Sequence, residues 1–527
     1  MSKKHCSRRS KKEDQFHLGK ARGVIQARVQ AVGPERFGIV VVDPAKARSK
    51  WMLADFYGRV LVPPTLVEHT ADGFRQCVAK LRQAEAEHGL KDLVVSVERT
   101  GNYHLPAKRA FAAAGYEVRV LHPFATKQFR QPANPGDKTD ENDLAANHRA
   151  TVVGFALLEL PLHEHYRRLR LLVRHRRDLV QKCAALQCQI REHLHLALPG
   201  YAALFEKFWE LPLPMAIARR LTSPADVRQL GVTGLAVIAR EQAIRFQHTS
   251  LAKIVAWAEH AADPDPDATL HSRIAAGLDD DRVRKTLEIR ALEREIVALL
   301  VRTPYLLLLR IPGIHVVSAA EFAGEMGPIT HYANANAITG RAGLFRSRYQ
   351  SDAVDQSGPL VRCANRRLRA ALMMIADNLL TVNQYFRGQG AVWKKLGRDP
   401  RWQRVRVSNR FSRVAFALVA GRRFFSHPCC QQPGYILDKL VTFHLEHGAS
   451  ADELRANLAS AAAQLPDGQS SDEAAPLRRR AERTRRSKRG VQNIGEILRE
   501  VIAKLVIVPV QSHESRPSGT TEVRASN

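Results

Sequence analysis

The sequence predicts an α/β domain followed by a longer, mainly helical region. Two short apolar runs rich in β-branched residues, FGIVVVD at 37–43 and DLVVSVE at 92–98, alternate with helical patterns, as strands do in a layered α/β unit. From 163 to 198 the apolar residues Leu169, Leu172, Leu179, Cys183, Leu186, Ile190, Leu194 and Ala197 recur close to a heptad, which predicts a long amphipathic or coiled-coil helix. At 527 residues the chain is too long for one ordinary hydrophobic core.

Residues 1–36 are basic and lack sustained apolar periodicity, so they read as a flexible arm. After the first strand, KWMLADFYGRVL predicts two antiparallel strands with a turn at Gly58. A helical pattern over about 70–89 leads to the second apolar strand. A helix over about 103–114 and a strand in YEVRVLHP follow, and then a further helix opens in the acidic stretch NPGDKTDENDLAANHRA at 134–150. The long helix ends at PGY, and a second helical pattern at about 281–302 is placed to pack against it. Residues 303–385 read as a compact helical unit, and beyond about 465 the composition turns polar and then intensely basic in RRRAERTRRSKRG.

The chain carries 81 Lys and Arg against 52 Asp and Glu, a net charge of +29, and the excess is clustered, which favours a nucleic acid over mere solubility. No apolar run reaches the length of a membrane-spanning helix, and the cationic N-terminus has no apolar segment behind it, so a cytosolic protein without a membrane partner is expected. The seven cysteines include no CxxC pair and signal neither a disulfide framework nor a structural zinc site. His163 and His165 of HEH read as solvated surface.

Against this basic background the acids Asp137, Asp140, Glu141 and Asp143 crowd into seven positions. Asp43 and Glu98 each end a predicted strand, where α/β sheets open onto their ligand crevice. Asp140 and Asp143, three apart, share one helix face. If that helix packs beside the strand ends, four carboxylates converge and need hard divalent cations to offset their repulsion. Two such ions clamp the attacking and leaving oxygens of a phosphodiester displacement. Singly, each acid has an ordinary reading as a loop residue or a favourable charge in a helix's first turn. Asp137 or Thr139 is the expected cap and Glu141 is expected in solvent.

The segments GIVVVDPAK, VSVERTGNYH and KTDENDLA resemble, in order and spacing, the three N-terminal motifs of the DEDD transposases of the one-ten insertion-sequence family, relatives of the Piv-type invertase. The resemblance implies a RuvC-like, ribonuclease H-like domain with Asp43, Glu98, Asp140 and Asp143 as catalytic metal ligands for Mg2+, a two-metal site being expected. It makes Thr100, Gly101 and Tyr103 companions of the glutamate.

In the second half, LLLLRIPGIHVVSAAEFAGEMG at 306–327 places a Pro-Gly turn before a helix, either a phosphate-binding turn or a plain helix break. Arg362, Arg366, Arg367 and Arg369 give a helix start suited to phosphate contacts, with Leu368, Leu372 and Ile375 as a buried stripe opposite. This segment resembles the family's C-terminal transposase domain, whose loop serine joins covalently to DNA. The matching residue is Ser351, with Ser357 as the alternative. The sequence departs from the family pattern at Asp352, His315 and Ala364, where glycine is usual.

The resulting expectation is a DNA transposase or site-specific recombinase divided into a basic flexible arm (1–36), a RuvC-like catalytic domain (37–160), a helical coiled-coil and insertion region (161–302), a C-terminal transposase domain with a serine loop (303–390), a basic helical extension (391–465) and a disordered basic tail (466–527). The resemblance implies DNA as partner, a guide RNA with which the basic segments are compatible, and a homo-oligomer, dimer or tetramer, in which one chain's serine completes another's carboxylate site. The rival readings are a RuvC-like junction endonuclease without a covalent intermediate and an inactive DNA-binding copy.

Overall fold

The computed structural model describes residues 23–133, 136–352, 354–430, 432–466, 470–483 and 493–506. The chain forms two compact units, Met1–Pro161 and Leu162–Asn527.

In the first unit, strand β1 (Phe37–Pro44) is central because both its faces are apolar. Ile39 and Val41 enter one core layer, Val40 and Val42 the other, and all four are fully buried. It pairs antiparallel with β2 (Arg48–Asp55), which turns back into β3 (Val60–Glu68), and parallel with β4 (Asp92–Glu98). β4 continues parallel into β5 (Val118–Leu121), and the short β6 (Leu157–Leu158) closes the edge antiparallel, giving the order β3-β2-β1-β4-β5-β6. The expected β2–β3 turn lies at Gly58, whose φ of 97° explains why glycine stands there.

Helix α1 (Gln26–Val32) and helix α5 (Asp140–Val152) cover the face of Ile39 and Val41 through Ile25, Val29 and Leu144, while α2 (Ala71–Glu87) and α3 (His104–Ala113) cover the other through Leu81 and Phe111. Helix α4 (Pro123–Arg130) packs on α5 through Ala125 and Ala150. The expected arm is therefore folded in part: Arg28 bridges Asp92 and Glu117 and pins α1 to the sheet. Residues 1–22 of that arm lie outside the described residues.

The second unit is built on two long helices, α6 (Glu164–Ala197) and α10 (Ala268–Leu300). They run antiparallel, since Arg176 meets Glu293 whereas His193 meets His271. The second helix was expected to begin near 281 but starts at 268, because Ala268 and Ala275 bury against the insert between the pair. That insert, α7 (Pro212–Ala218), α8 (Pro224–Glu241) and α9 (His248–His260), has its own core around Tyr201, Phe208, Leu235 and Ile254.

Beyond it come α11 (Val316–Met326), α12 (Ala335–Ala342), a hairpin of β7 (Arg346–Ser351) and β8 (Val354–Leu360), α13 (Arg366–Val382), α14 (Gln384–Lys395), α15 (Pro400–Ala420), α16 (Ile436–Glu446), α17 (Ala451–Ala462), α18 (Ser470–Arg483) and α19 (Ile494–Val506). No boundary falls at 390 or 465. One core runs from Leu169 through Phe322, Leu372, Phe411, Leu440 and Leu458 to Leu477 and Leu498.

The expected disordered tail is corrected accordingly. Ala474, Leu477 and Ala481, and Ile494, Ile497, Leu498, Val501 and Leu505, recur at helical spacing and join this core, a pattern hidden by the polar average. Glu473 of the same segment is fully buried, accepting from Arg310 Nη1 at 2.8 Å and from the Leu437 N–H at 3.1 Å. Residues 467–469, 484–492 and 507–527 of that expected tail lie outside the described residues. Among the described residues no helix is long and apolar enough to cross a membrane.

Candidate catalytic carboxylates

Val42 and Val97 are register partners on parallel strands, so Asp43 and Glu98, one residue further on, stand side by side at the C-terminal ends of β1 and β4 and project to one face. Helix α5 covers that face. Leu144 shares a core layer with Val41 and Val94, Thr151 Oγ1 and Ser96 Oγ hydrogen-bond at 2.8 Å, and His148 Nε2 bonds the Asp55 carbonyl at 2.8 Å. These contacts bring the first turn of α5, with Asp140 and Asp143, to the strand ends. Thr139 caps the helix, accepting from Asn142 N at 3.2 Å, while Asp137 accepts from the Asn142 amide at 2.8 Å.

The electrostatics show the proximity. Burial pushes the Asp43 carboxyl up to about 7, and the negative charges of Glu98, Asp143 and Asp140 add to the effect against the opposing charge of Lys138. Asp43 is thus the focus of the group. Two cations not anticipated from sequence hold the acids of α5. Arg130 of α4 pairs with Asp143, whose side chain is only 10% exposed. Lys50 of β2, the register partner of Asp43, pairs with Glu141 and lies 3.7 Å from Asp140. Glu141, expected free in solvent, is therefore tethered, although 58% of its side chain is exposed. Nothing in the sequence marks Lys50 or Arg130, since each reaches the acids only through the sheet and the α4–α5 packing.

Glu98 Oε2 accepts from Thr126 Oγ1 at 2.8 Å, and the same hydroxyl lies 2.6 Å from the Asn147 side-chain amide. One hydroxyl has one proton. It goes to Glu98 when the Asn147 amide turns its NH2 toward Thr126. With Asp143 turned to Arg130 and Glu98 to Thr126, no three His, Cys, Asp or Glu side chains among the described residues close to metal-gripping distance. The donor chemistry nevertheless fits a hard divalent cation: four carboxylates gather at one sheet edge, and the central one is raised first by burial and then by its neighbours' negative charge, which a cation would offset.

Ser351 ends β7 at the tip of an exposed β-hairpin, in place of the expected loop. Asp352, standing where the resembling family has glycine, has φ of 47°, a left-handed conformation that Asp tolerates better than most residues. Ser357 lies along β8 opposite Arg348. Of the arginines, Arg362 and Arg366 are exposed. Arg367 lies 3.6 Å from Asp178, and Arg369 turns inward to the carbonyls of Ala342 and Val361. Arg369 therefore ties the end of the hairpin to α12 and is not directed at a ligand.

A family of DEDD transposases of the IS110 kind matches residues 40–199, which contain all four carboxylates, and the family described as Transposase IS116/IS110/IS902 matches residues 305–390, which contain the hairpin serine and the arginine helix. Curated proteins give no match. The first of these matches implies dependence on a divalent metal and the pair implies DNA as partner. With the two matched stretches in order, the first of them containing the sheet edge that carries the acids, the chain is a DNA transposase of the IS110 family.

Proposed function

We propose that this transposase cuts and rejoins the strands of an insertion sequence using Mg2+ held by Asp43, Glu98, Asp140 and Asp143, in a RuvC-like, ribonuclease H-like first unit. The supporting observation is the run of antiparallel β3-β2-β1 into parallel β4 and β5, with the acids at the ends of the two central strands and on the helix that crosses them. The bound metal supplies charge neutralisation at the scissile phosphate. Asp43 and Glu98 would hold the cation from the strand ends and Asp140 and Asp143 from α5, with Arg130 the counter-charge of Asp143 when the cation is absent.

Ser351 is the proposed nucleophile. Its Oγ forms a phosphodiester bond to one strand as the bond to the departing deoxyribose oxygen breaks and that oxygen takes a proton; attack by a recipient strand's hydroxyl reverses the step and frees the serine. Both serines are exposed, and the place of Ser351 beside the turn supports this choice over Ser357, which lies within the paired length of β8 opposite Arg348. Arg362 and Arg366 are proposed to contact phosphates, and a guide RNA, a homo-oligomer and a cytosolic location complete the reading.

The test incubates the purified chain with element-flanking DNA, candidate RNA and Mg2+, scoring recombinant junctions and serine-linked DNA on a denaturing gel. Wild type gives both products and Asp140→Ala neither. Ser351→Ala gives no adduct. Cleavage that survives Ser351→Ala without adduct establishes a hydrolytic junction endonuclease instead.

A further inference from the structure

We propose that the helical hairpin α14–α15 is a sequence-independent docking surface for the backbone of duplex DNA, outside the catalytic machinery. Residues 384–423 carry eleven Arg and Lys against a single acid, Asp399, and Asp399 is occupied in capping α15 through the N–H groups of Arg401 and Trp402. Arg387, Lys394, Lys395, Arg401, Arg406 and Arg413 are exposed and have no acidic partner among the described residues. A surface evolved for solubility alone mixes both signs. Here the like charges repel one another, and a polyanion relieves that repulsion.

The hairpin is rigid enough to present them. α14 and α15 lie antiparallel, with Trp393 edge-on to Trp402 at 5.5 Å near the turn and Arg410 reaching the Tyr385 hydroxyl at 2.9 Å further along. Arg410 also lies over the rings of Trp393 and Tyr385, and Arg398 over Trp402. Val407, Phe411 and Ala415 anchor α15 in the main core, so its cationic side faces outward from a fixed base.

The same contacts decide the form of nucleic acid. Single strands are bound by stacking unpaired bases on free aromatic faces. Tyr385, Phe386, Trp393 and Trp402 are each engaged by an arginine or another ring, Phe411 meets Phe322 edge-on, Phe416 packs against the main core, and Trp393 is only 9% exposed. What remains outside is cationic, suited to phosphates and blind to sequence. α15 lies wholly beyond both matched stretches, so this surface supplements the family's two domains.

The test measures binding of the full chain to a random-sequence DNA duplex by fluorescence anisotropy across a salt series, in chelator so that no strand chemistry intervenes. The combined variant Lys394→Gln, Arg401→Gln, Arg406→Gln, Arg413→Gln should flatten the plot of log affinity against log salt by about 3 to 4, roughly 0.9 per lost phosphate contact. Replacing the three arginines by lysine should keep the slope within about one of wild type, which controls for folding because only the point charge is required. Four charges removed elsewhere, Lys182, Arg245, Arg273 and Arg290 to Gln, should also leave it within about one. An unchanged slope in the hairpin variant, an equal loss in the distant variant, or a loss confined to duplex RNA or single strands overturns the proposal. None of these outcomes bears on the carboxylates or on Ser351.

Discussion

Asn365 Nδ2 donates to Glu325 Oε2 at 2.9 Å while its Oδ1 accepts from the N–H groups of Arg367 and Leu368, so one side chain both caps α13 and reaches a buried carboxylate. Glu325 is 3% exposed and also takes two hydrogen bonds from Arg174, at 2.7 and 2.8 Å. Burial pushes the Glu325 carboxyl up, but the bonds from Arg174 and Asn365 outweigh it and hold the group below the usual carboxylate range. Asn365→Ala removes a cap and a charge-assisted bond together, an expected loss of about 2–4 kcal/mol in stability. Asn365→Ser keeps the cap and should recover part of it. Thermal melts that cannot tell Asn365→Ala from wild type would show that this junction carries no energy.

Arg130 neutralises Asp143 where both side chains are largely buried, at 14% and 10% exposure. Removing one partner of such a pair strands the other charge, so Arg130→Ala in chelator should cost about 3–5 kcal/mol. Added Mg2+ should return part of that loss in the variant and less in wild type, because the unpaired carboxylate has gained an alternative counter-charge. Calorimetry with and without the cation measures both. Equal melting temperatures in chelator would mean that Asp143 does not depend on Arg130.

Glu293 sits between His447 Nε2 at 2.6 Å and Arg176 Nε at 2.6 Å. Burial raises the Glu293 carboxyl, yet the His447 bond and the Arg176 charge outweigh it and set it below its ordinary value. Burial lowers His447, yet the hydrogen bond it donates to Glu293 outweighs that and raises it, helped by the Phe443 carbonyl and the charges of Glu293 and Glu446. The signs then differ. The histidine's contribution is complete below its unfolded value of about 6.5 and disappears as pH rises through the higher folded value, whereas the glutamate's is complete above about 4.3 and disappears as pH falls through the lower folded value. The stability difference between wild type and His447→Gln should be largest between the two unfolded values, about pH 4.3 and 6.5, and shrink as pH rises beyond the upper one. Denaturant titrations across that range check it, and a difference independent of pH would show that only packing on Phe443 is lost.

The C-terminal helices are integral to the second unit. Leu498 is fully buried in the core that also holds Leu440 and Leu458. Leu498→Ala should cost about 2–5 kcal/mol, and truncation after 466 should cost more, because it also removes Glu473 from the buried Arg310. A truncated chain that melted like the full one would return these helices to the status of an accessory tail.

Local pattern alone revealed the α/β unit, the strand-ending Asp43 and Glu98, and the helix start at Asp140, because period-two and helical apolar spacing and capping chemistry act within a few residues. The same locality explains the misreadings. α1 looks like a loose arm until Arg28 meets Asp92 and Glu117, and α18 looks like a solvated linker until Glu473 meets Arg310. The roles of Lys50, Arg130 and Thr126 were likewise invisible, since each comes within reach of an acid only after the sheet and helices have assembled.

By itself the sequence determined which residues are acids at element ends, which helices are long, and where positive charge is concentrated. Only the tertiary structure decided which cation answers which acid, that the chain beyond 390 shares the core of what precedes it, and which aromatic faces are already taken. The reason is physical: element type follows from interactions between near neighbours in the chain, whereas charge pairing, burial and shifts in acidity depend on distances that only packing sets.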